Sequence, residues 1–335
     1  MTLPFEVKVL KGSKQGVAVA ATLPGRTSLK PNEVALRVTH SGVCGTDLHH
    51  IHDDMVLGHE GVGKVEAVGD AVTKFKVGDR VGFGYVKDGC GECVACHAGN
   101  YFYCKIASRQ YSATDHDQGS FSNFAVWPET NLHKIPDAIA DAQAAPLLCA
   151  GLTVFTPMVR HGIKPGHRVG ILGIGGLGHL AIQFAVKLGA HVVVFSGSES
   201  KKDEALKLGA KEFWLSGDLK TKKPDLKLDY LITTATKLPN WEVFLEQMAP
   251  FGHIILLGLT TEPLHVPYFP FILKEISIHG ALSSTPTEFD AMLDFAAKND
   301  VKAVVEEFPM TEEGAAKAIA KLNDGSIRYR AVLVT

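Results

Sequence analysis

The segment that most limits how this 335-residue chain can fold runs from Arg168 to Phe195. Arg168-Val-Gly-Ile-Leu reads as a short apolar strand. It leads into Gly173-Ile-Gly175-Gly176-Leu177-Gly178 and then into a helix with Leu180, Phe184 and Leu188 at helical spacing, before a second apolar strand from His191 to Phe195. A strand, a G-x-G-x-x-G turn and a helix in that order make a dinucleotide-binding unit. The glycines permit a tight turn, let the backbone approach a pyrophosphate and let the helix pack closely, while the helix N-terminus faces the phosphates. Without its flanking elements the glycine pattern would carry little. Further strands are expected at Glu212 to Leu215, Asp229 to Thr234, Gly252 to Gly258 and Ile276 to Leu282, with a helix near Asn240 to Met248. Alternating strand and helix predicts a parallel sheet wound on both faces.

The end of the second strand chooses the cofactor. An Asp or Glu there would bind the ribose hydroxyls of NAD; this chain instead has Ser196-Gly197-Ser198, followed by Lys201 and Lys202. A carboxylate repels a 2′-phosphate, whereas hydroxyls and ammonium groups attract it, so NADP(H) is favoured over NAD(H). Glu199 dissents, three places late, and the lysines taken alone would be an ordinary solvated helix start.

Two groups of metal-ligand residues precede this unit. Cys90, Cys93, Cys96 and Cys104 follow a C-x2-C-x2-C-x7-C spacing and account for four of six cysteines. Thiolates this close repel one another unless a cation lies between them, and a closed tetrahedral zinc site satisfies all four with no open position. The expectation is a structural zinc that staples a lobe, with an iron–sulfur cluster or a nucleic-acid zinc ribbon as competing readings. The second group lies in SGVCGTDLHHIHDDMVLGHEG, residues 41–61, which brings Cys44, Asp47, His49, His59 and Glu60 into one glycine-rich stretch. A thiolate and an imidazole suit a borderline-soft ion such as Zn²⁺, and a catalytic zinc takes three protein ligands with the fourth place open. Cys44 and His59 supply two. Cys149, in APLLCAG, is the only cysteine left for a third. Singly, a cysteine is more often a small buried hydrophobe and a histidine a satisfied core or surface residue; their joint occurrence with Gly-His-Glu-Gly shifts the balance.

Composition narrows the partners. A net charge of −2 gives no basic field for nucleic acid, and 46% apolar with 21% charged residues is ordinary for a globular protein. MTLPFEVKVLKGSK lacks the apolar core of a secretion signal. The longest apolar candidate, Val169 to Val186, is broken by five glycines and carries His179 and Gln183, so no membrane span is expected and the chain reads as cytoplasmic. Length suggests two domains. Residues 1–150 show short β-rich stretches at Glu6 to Leu10, Glu33 to Thr39, Gly63 to Val68, Arg80 to Gly84 and Phe124 to Val126; Val34, Leu36 and Val38 alternate with Ala35, Arg37 and Thr39, as in a strand with one buried face. Near the C-terminus, Thr285-Pro-Thr-Glu288 reads as a capping box, followed by helices from there and over Glu312 to Asn323 and a last strand from Tyr329 to Val334.

VTHSGVCGTDLH, GHEGVGKVEAVG, the four-cysteine lobe, APLLCAGLTVF, GILGIGGLGHLAIQFAVKLGA and RYRAVLV together resemble the zinc-dependent medium-chain dehydrogenases, and within them the cinnamyl alcohol dehydrogenase-like, NADP-dependent branch. Two cysteines and one histidine are the catalytic zinc set known from alcohol dehydrogenases, so that match is a recognition and not a derivation. The resemblance implies an α/β architecture: a GroES-like catalytic domain over residues 1–150, a Rossmann domain over 151–284, and a return segment, 285–335, completing the catalytic domain. It implies two zinc ions per chain, one catalytic at Cys44, His59 and Cys149 with Glu60 as a further or alternative ligand, and one structural. Asp47 would orient His59, Thr46 and His49 would relay a proton, Thr153 would contact the nicotinamide, and Arg330 would reach the cofactor pyrophosphate. The implied activity is hydride transfer between NADP(H) and an alcohol/aldehyde pair, in a homodimer joined through Ile276 to Leu282. The runner-up is reduction of an activated C=C or iminium bond. One departure stands out: the loop from Cys44 to His59 is several residues shorter than the family's usual length.

Overall fold

The computed structural model describes residues 6–222 and 224–335. They form two compact units, one running through Leu152 together with Ser283–Thr335, the other Thr153–Leu282.

The first unit is built on a seven-stranded sheet ordered Val305–Pro309, Arg330–Val334, Glu33–Val43, Gly61–Val68, Arg80–Phe83 and His133–Lys134, with Phe124–Pro128 also pairing to Glu33–Val43. The C-terminal strand enters antiparallel to Glu33–Val43, matching Ala331 with Val43 and Val334 with His40. Glu33–Val43 differs from the alternating pattern expected of it. Ala35 is as buried as Val34 and Leu36, because Phe124 and Val126 cover its face while Trp127, Phe83 and Val81 pack on the other. Both faces are apolar at Ala35, so alternation fails there, while exposed Arg37 and half-buried Thr39 keep it on either side of buried Val38.

Strands Val19–Pro24 and Val305–Pro309 carry no legible period; the second reads Val-Glu-Glu-Phe-Pro and is mostly half-exposed. The capping box at Thr285 is formed as read: the Thr285 hydroxyl accepts from Glu288 N and Glu288 accepts from Thr285 N at 2.8 Å, opening the helix Pro286–Asn299. Leu219–Lys222 is a short helix that buries Leu219.

The second unit is a six-stranded, all-parallel sheet. Its order is Glu212–Leu215, His191–Ser196, Arg168–Leu172, Leu228–Thr233, Met248–Leu256, Ser277–Gly280. In sequence terms this is 3-2-1-4-5-6, the doubly wound order in which connections leave the first strand in opposite directions and open a crevice at its C-terminal end. Phe195, Leu231, Phe244, Trp241 and Ile254 anchor one core layer.

One helical run, Asp141–Arg160, is long and apolar enough to cross a membrane by length and composition, longer than the apolar reading allowed; 72% of its most apolar window is buried inside the protein, as in a core helix.

Candidate functional site

Strand ends assemble the site of the first unit. Glu33–Val43 ends one residue before Cys44, Gly61–Val68 begins one residue after Glu60, and Ser41 pairs with Gly61 across the ladder. Arg330 opens the C-terminal strand beside Val43. Cys149 comes from a π-helical turn, Leu147–Gly151, a geometry frequent at functional sites because it re-aims side chains within a helix. Gly58 has a φ of +89°, and a Cβ there would run into Phe121 and Ser120, so the first glycine of Gly-His-Glu-Gly is required for both conformation and space.

These elements bring one ligand atom each of Cys44, His59, Glu60 and Cys149 within 4.8 Å of one another. Asp47, fully buried, holds the arrangement in place. Its Oδ2 accepts from Cys44 N at 2.8 Å; its Oδ1 accepts from Gly58 N at 3.1 Å, from the Tyr111 hydroxyl at 2.8 Å and from His59 Nδ1 at 3.2 Å. A carboxylate can only accept here, so His59 carries its proton on Nδ1 and presents the Nε2 lone pair. That nitrogen is buried with no hydrogen-bond partner among the described residues, as is Glu60 Oε2.

The same neighbours shift the proton affinities of these groups. Burial alone would lower the His59 imidazole, but Asp47 and the neighbouring Cys44 raise it well above its ordinary value. The Cys149 thiol, against the opposing effect of burial and with help from His59, holds Cys44 well below the usual thiol range, while Cys149 itself is pushed up. Glu60 is pushed up to about 7 by burial, opposed by the Arg330 guanidinium that pairs with it through Nη2. Two sulfurs, an imidazole lone pair and a carboxylate converging in a buried pocket form a donor set that fits a zinc ion.

Cys90, Cys93, Cys96 and Cys104 also bring their sulfurs within 4.8 Å of one another, and none is in a disulfide. Cys90 and Cys96 Sγ lie 3.9 Å apart, against a tetrahedron edge of about 3.8 Å for zinc–sulfur bonds. Backbone N–H groups of Cys90 and Ala107 donate to Cys104 Sγ at 3.4 Å, and such donors bring its thiol down to about 6. All four positions of this set are protein sulfur, which fits a closed structural ion.

Thr46 and His49 lie on the short helix Gly45–His49. Thr46 Oγ1 is 3.7 Å from Cys44 Sγ, and His49 is exposed at the helix end. Arg330, assigned by resemblance to a pyrophosphate, has its guanidinium on Glu60.

In the second unit, a cavity of about 250 Å³ opens at the ends of strands Arg168–Leu172 and His191–Ser196, lined by Gly173, Ile174, Ser196, Ser198, Lys201 and Ala235 among others. Gly173 has a φ of +98°, and a Cβ on Gly178 would strike the Gly173 carbonyl. Gly175 faces open space, and Gly176 and Leu177 complete the turn before the helix Gly178–Lys187. Thr234 clamps the turn by donating to the carbonyls of Leu172 and Gly173. Lys201 Nζ donates to Ile174 O at 2.9 Å, and Ser198 Oγ meets Ser200 Oγ at 3.0 Å. Thr153 is half-buried on helix Leu152–Arg160 and does not line this cavity.

Tyr111, Ser120, Thr234 and Ser200 were not legible as site residues. Ser120 joins Ser41 at 2.6 Å and accepts from Glu60 N. Only Ser200, in the Ser-Gly-Ser-Glu-Ser run, carried a signal that could have been read.

A nucleotide-binding doubly wound sheet and a sheet unit bearing two cation sites define a metal-dependent dehydrogenase. Residues 30–137 match the alcohol dehydrogenase GroES-like domain and residues 176–298 the zinc-binding dehydrogenase domain. The chain is 36% identical to an aldehyde reductase of Synechocystis sp., covering 91% of this chain and 92% of that one. It superimposes with a TM-score of 0.90 on a cinnamyl alcohol dehydrogenase from Sorghum bicolor, at 34% identity over 98% of this chain and 97% of that one. A second solved structure, the Helicobacter pylori cinnamyl alcohol dehydrogenase complexed with NADP(H), matches with a TM-score of 0.88 at 28% identity over 98% of both chains. The chain belongs to the zinc-dependent medium-chain alcohol dehydrogenases, in their cinnamyl alcohol dehydrogenase-like branch, and is an oxidoreductase.

Proposed function

We propose that this enzyme reduces aldehydes to primary alcohols with NADPH, the reverse oxidation being available to the same residues. The observation that carries the reading is the convergence of Cys44, His59, Glu60 and Cys149 around an unpartnered His59 Nε2. The resemblance to an aldehyde reductase and to cinnamyl alcohol dehydrogenases supports the substrate class.

Cys44, His59 and Cys149 would hold a zinc ion, with Glu60 held back by Arg330 as an alternative ligand. When bound, the ion supplies Lewis acidity toward a carbonyl oxygen. The protein's own residues do the rest. Asp47 fixes the His59 tautomer and orientation. Thr46, next to Cys44, would pass a proton inward from His49, which is exposed to solvent at the helix end. Ser196, Ser198 and Lys201 would bind a 2′-phosphate at a strand end that lacks a carboxylate, with Thr153 at the nicotinamide and Arg330 available to the pyrophosphate. The Cys90–Cys104 lobe would hold the second, structural zinc.

The edge strand Ser277–Gly280, with Phe269, Ile272, Leu273 and Leu282 exposed nearby in sequence, supports a homodimer; thiols kept out of disulfides support a cytoplasmic setting. Steady-state rates with NADPH and NADH over aromatic and aliphatic aldehydes test the proposal. Turnover of aldehydes that depends on NADPH and stops on zinc removal is expected; reduction confined to C=C or iminium substrates would overturn it.

A further inference from the structure

We propose that Tyr111 is a positioning residue for the Cys44–His59–Cys149 metal centre, and that through it the four-cysteine lobe fixes the geometry of that centre. Tyr111 is 4% exposed. It donates to Asp47 Oδ1 at 2.8 Å and accepts from Gly58 N at 3.2 Å, and its ring lies over the His59 imidazole at 4.8 Å with a 38° tilt. Asp47 in turn orients His59 and binds the Cys44 amide. One phenol thus constrains the carboxylate and the ring that set the direction of His59 Nε2.

The placement of Tyr111 in the chain adds the second half. It directly follows Arg109–Gln110, which pairs antiparallel with Val86–Asp88 to close the base of the Cys90–Cys104 lobe. Tyr85 precedes the other strand of that base, accepts from Tyr111 N through its carbonyl at 2.9 Å, and turns its ring edge to His59 at 5.7 Å. Both residues that flank the lobe therefore pack on the same imidazole. The base is tied by charge: Asp115 binds Lys87 Nζ at 3.0 Å and Arg109 Nε at 2.9 Å, with Lys87 almost wholly buried. A lobe that holds its own ion and performs no chemistry acts here as the fixed support for a neighbouring catalytic ligand. Carboxylates behind metal-bound histidines typically alter metal affinity 10- to 100-fold, so their supports should be felt too.

The inference rests on the zinc reading above, and the experiment separates the two. Zinc release from the holoenzyme to a chromogenic chelator, and the absorption spectrum of enzyme carrying cobalt at the Cys44 site, would be compared for wild type, Tyr111→Phe and enzyme with 3-fluorotyrosine at position 111. For Tyr111→Phe the expected result is release of one zinc faster by roughly tenfold or more, slower-releasing lobe zinc unchanged, and a shifted cobalt–thiolate band. Fluorotyrosine, a stronger donor of the same shape, should shift the band the opposite way and slow release. Wild-type release and spectra in both variants would overturn the role of Tyr111 while leaving the zinc reading intact. A wild-type enzyme that binds no metal ion at Cys44, His59 and Cys149 would overturn both.

Discussion

The Arg330 guanidinium and the Glu60 carboxylate, 270 residues apart, form a buried ion pair beside the donor atoms of Cys44, His59 and Cys149. The pair exists because the last strand returns to Glu33–Val43 and starts at Arg330. It counters the burial that drives this carboxylate toward its neutral form, and Glu60 Oε2 has no hydrogen-bond partner among the described residues.

Arg330→Met should strand that carboxylate. Removing one partner of a buried pair costs roughly 3 to 5 kcal/mol, whereas replacing both is far milder. Urea unfolding should therefore show a large loss for Arg330→Met and a partial recovery in Glu60→Gln/Arg330→Met. Equal stabilities of the single and double variants would contradict a coupled pair.

The two cation sites should respond differently to loss of a ligand. His59→Ala should abolish turnover and lose about one zinc per chain with the fold retained, because the open site contributes chemistry more than packing. Cys93→Ser should instead lower thermal stability, since a closed four-sulfur site is folding free energy. Metal analysis and melting curves on both variants check this; full turnover by zinc-depleted His59→Ala would count decisively against the metal's role.

Ser196→Asp places a carboxylate at the strand end that lines the nucleotide cavity. Repulsion of a 2′-phosphate should cut the ratio of kcat/KM for NADPH over NADH by roughly tenfold or more. An unchanged ratio would mean that another group selects the cofactor.

The second unit should be sensitive to acid through His161 and His279. His253 Nδ1 meets His279 Nε2 at 2.9 Å, the ring centroids of His161 and His279 lie 4.0 Å apart at a 35° tilt, and Tyr230 stacks on His253. Burial, followed by neighbouring histidines, lowers both His161 and His279 below the ordinary 6.5, with Arg160 adding to the effect at His161. The unfolded chain then takes up protons first as pH falls. Stability is full above about 6.5 and declines below it. His279→Gln should narrow the difference in urea midpoint between about pH 8 and about pH 5.5; a difference equal to wild type would clear the cluster of this role.

Much of this protein was written locally. The strand, glycine turn and helix at Arg168–Lys187, the spacing of Cys90 to Cys104, the capping box at Thr285 and the helix Glu312–Asn323 each depend on residues within a few turns of one another, so period and residue type suffice to read them. Strand Val305–Pro309 was opaque because its Glu-Glu core has no apolar alternation; its place comes from parallel pairing with Arg330–Val334.

What the sequence determined by itself was the chemical inventory: a nucleotide turn, a serine and lysine strand end in place of a carboxylate, and two sets of soft ligands. Only the tertiary structure decided that Tyr111 supports Asp47, that Arg330 faces Glu60, and that a π-helical turn carries Cys149 to Cys44. Those partners lie 64 to 270 positions apart. No local propensity encodes such pairings; they arise from the order in which strands join a sheet and from the cost of leaving a buried charge or donor alone.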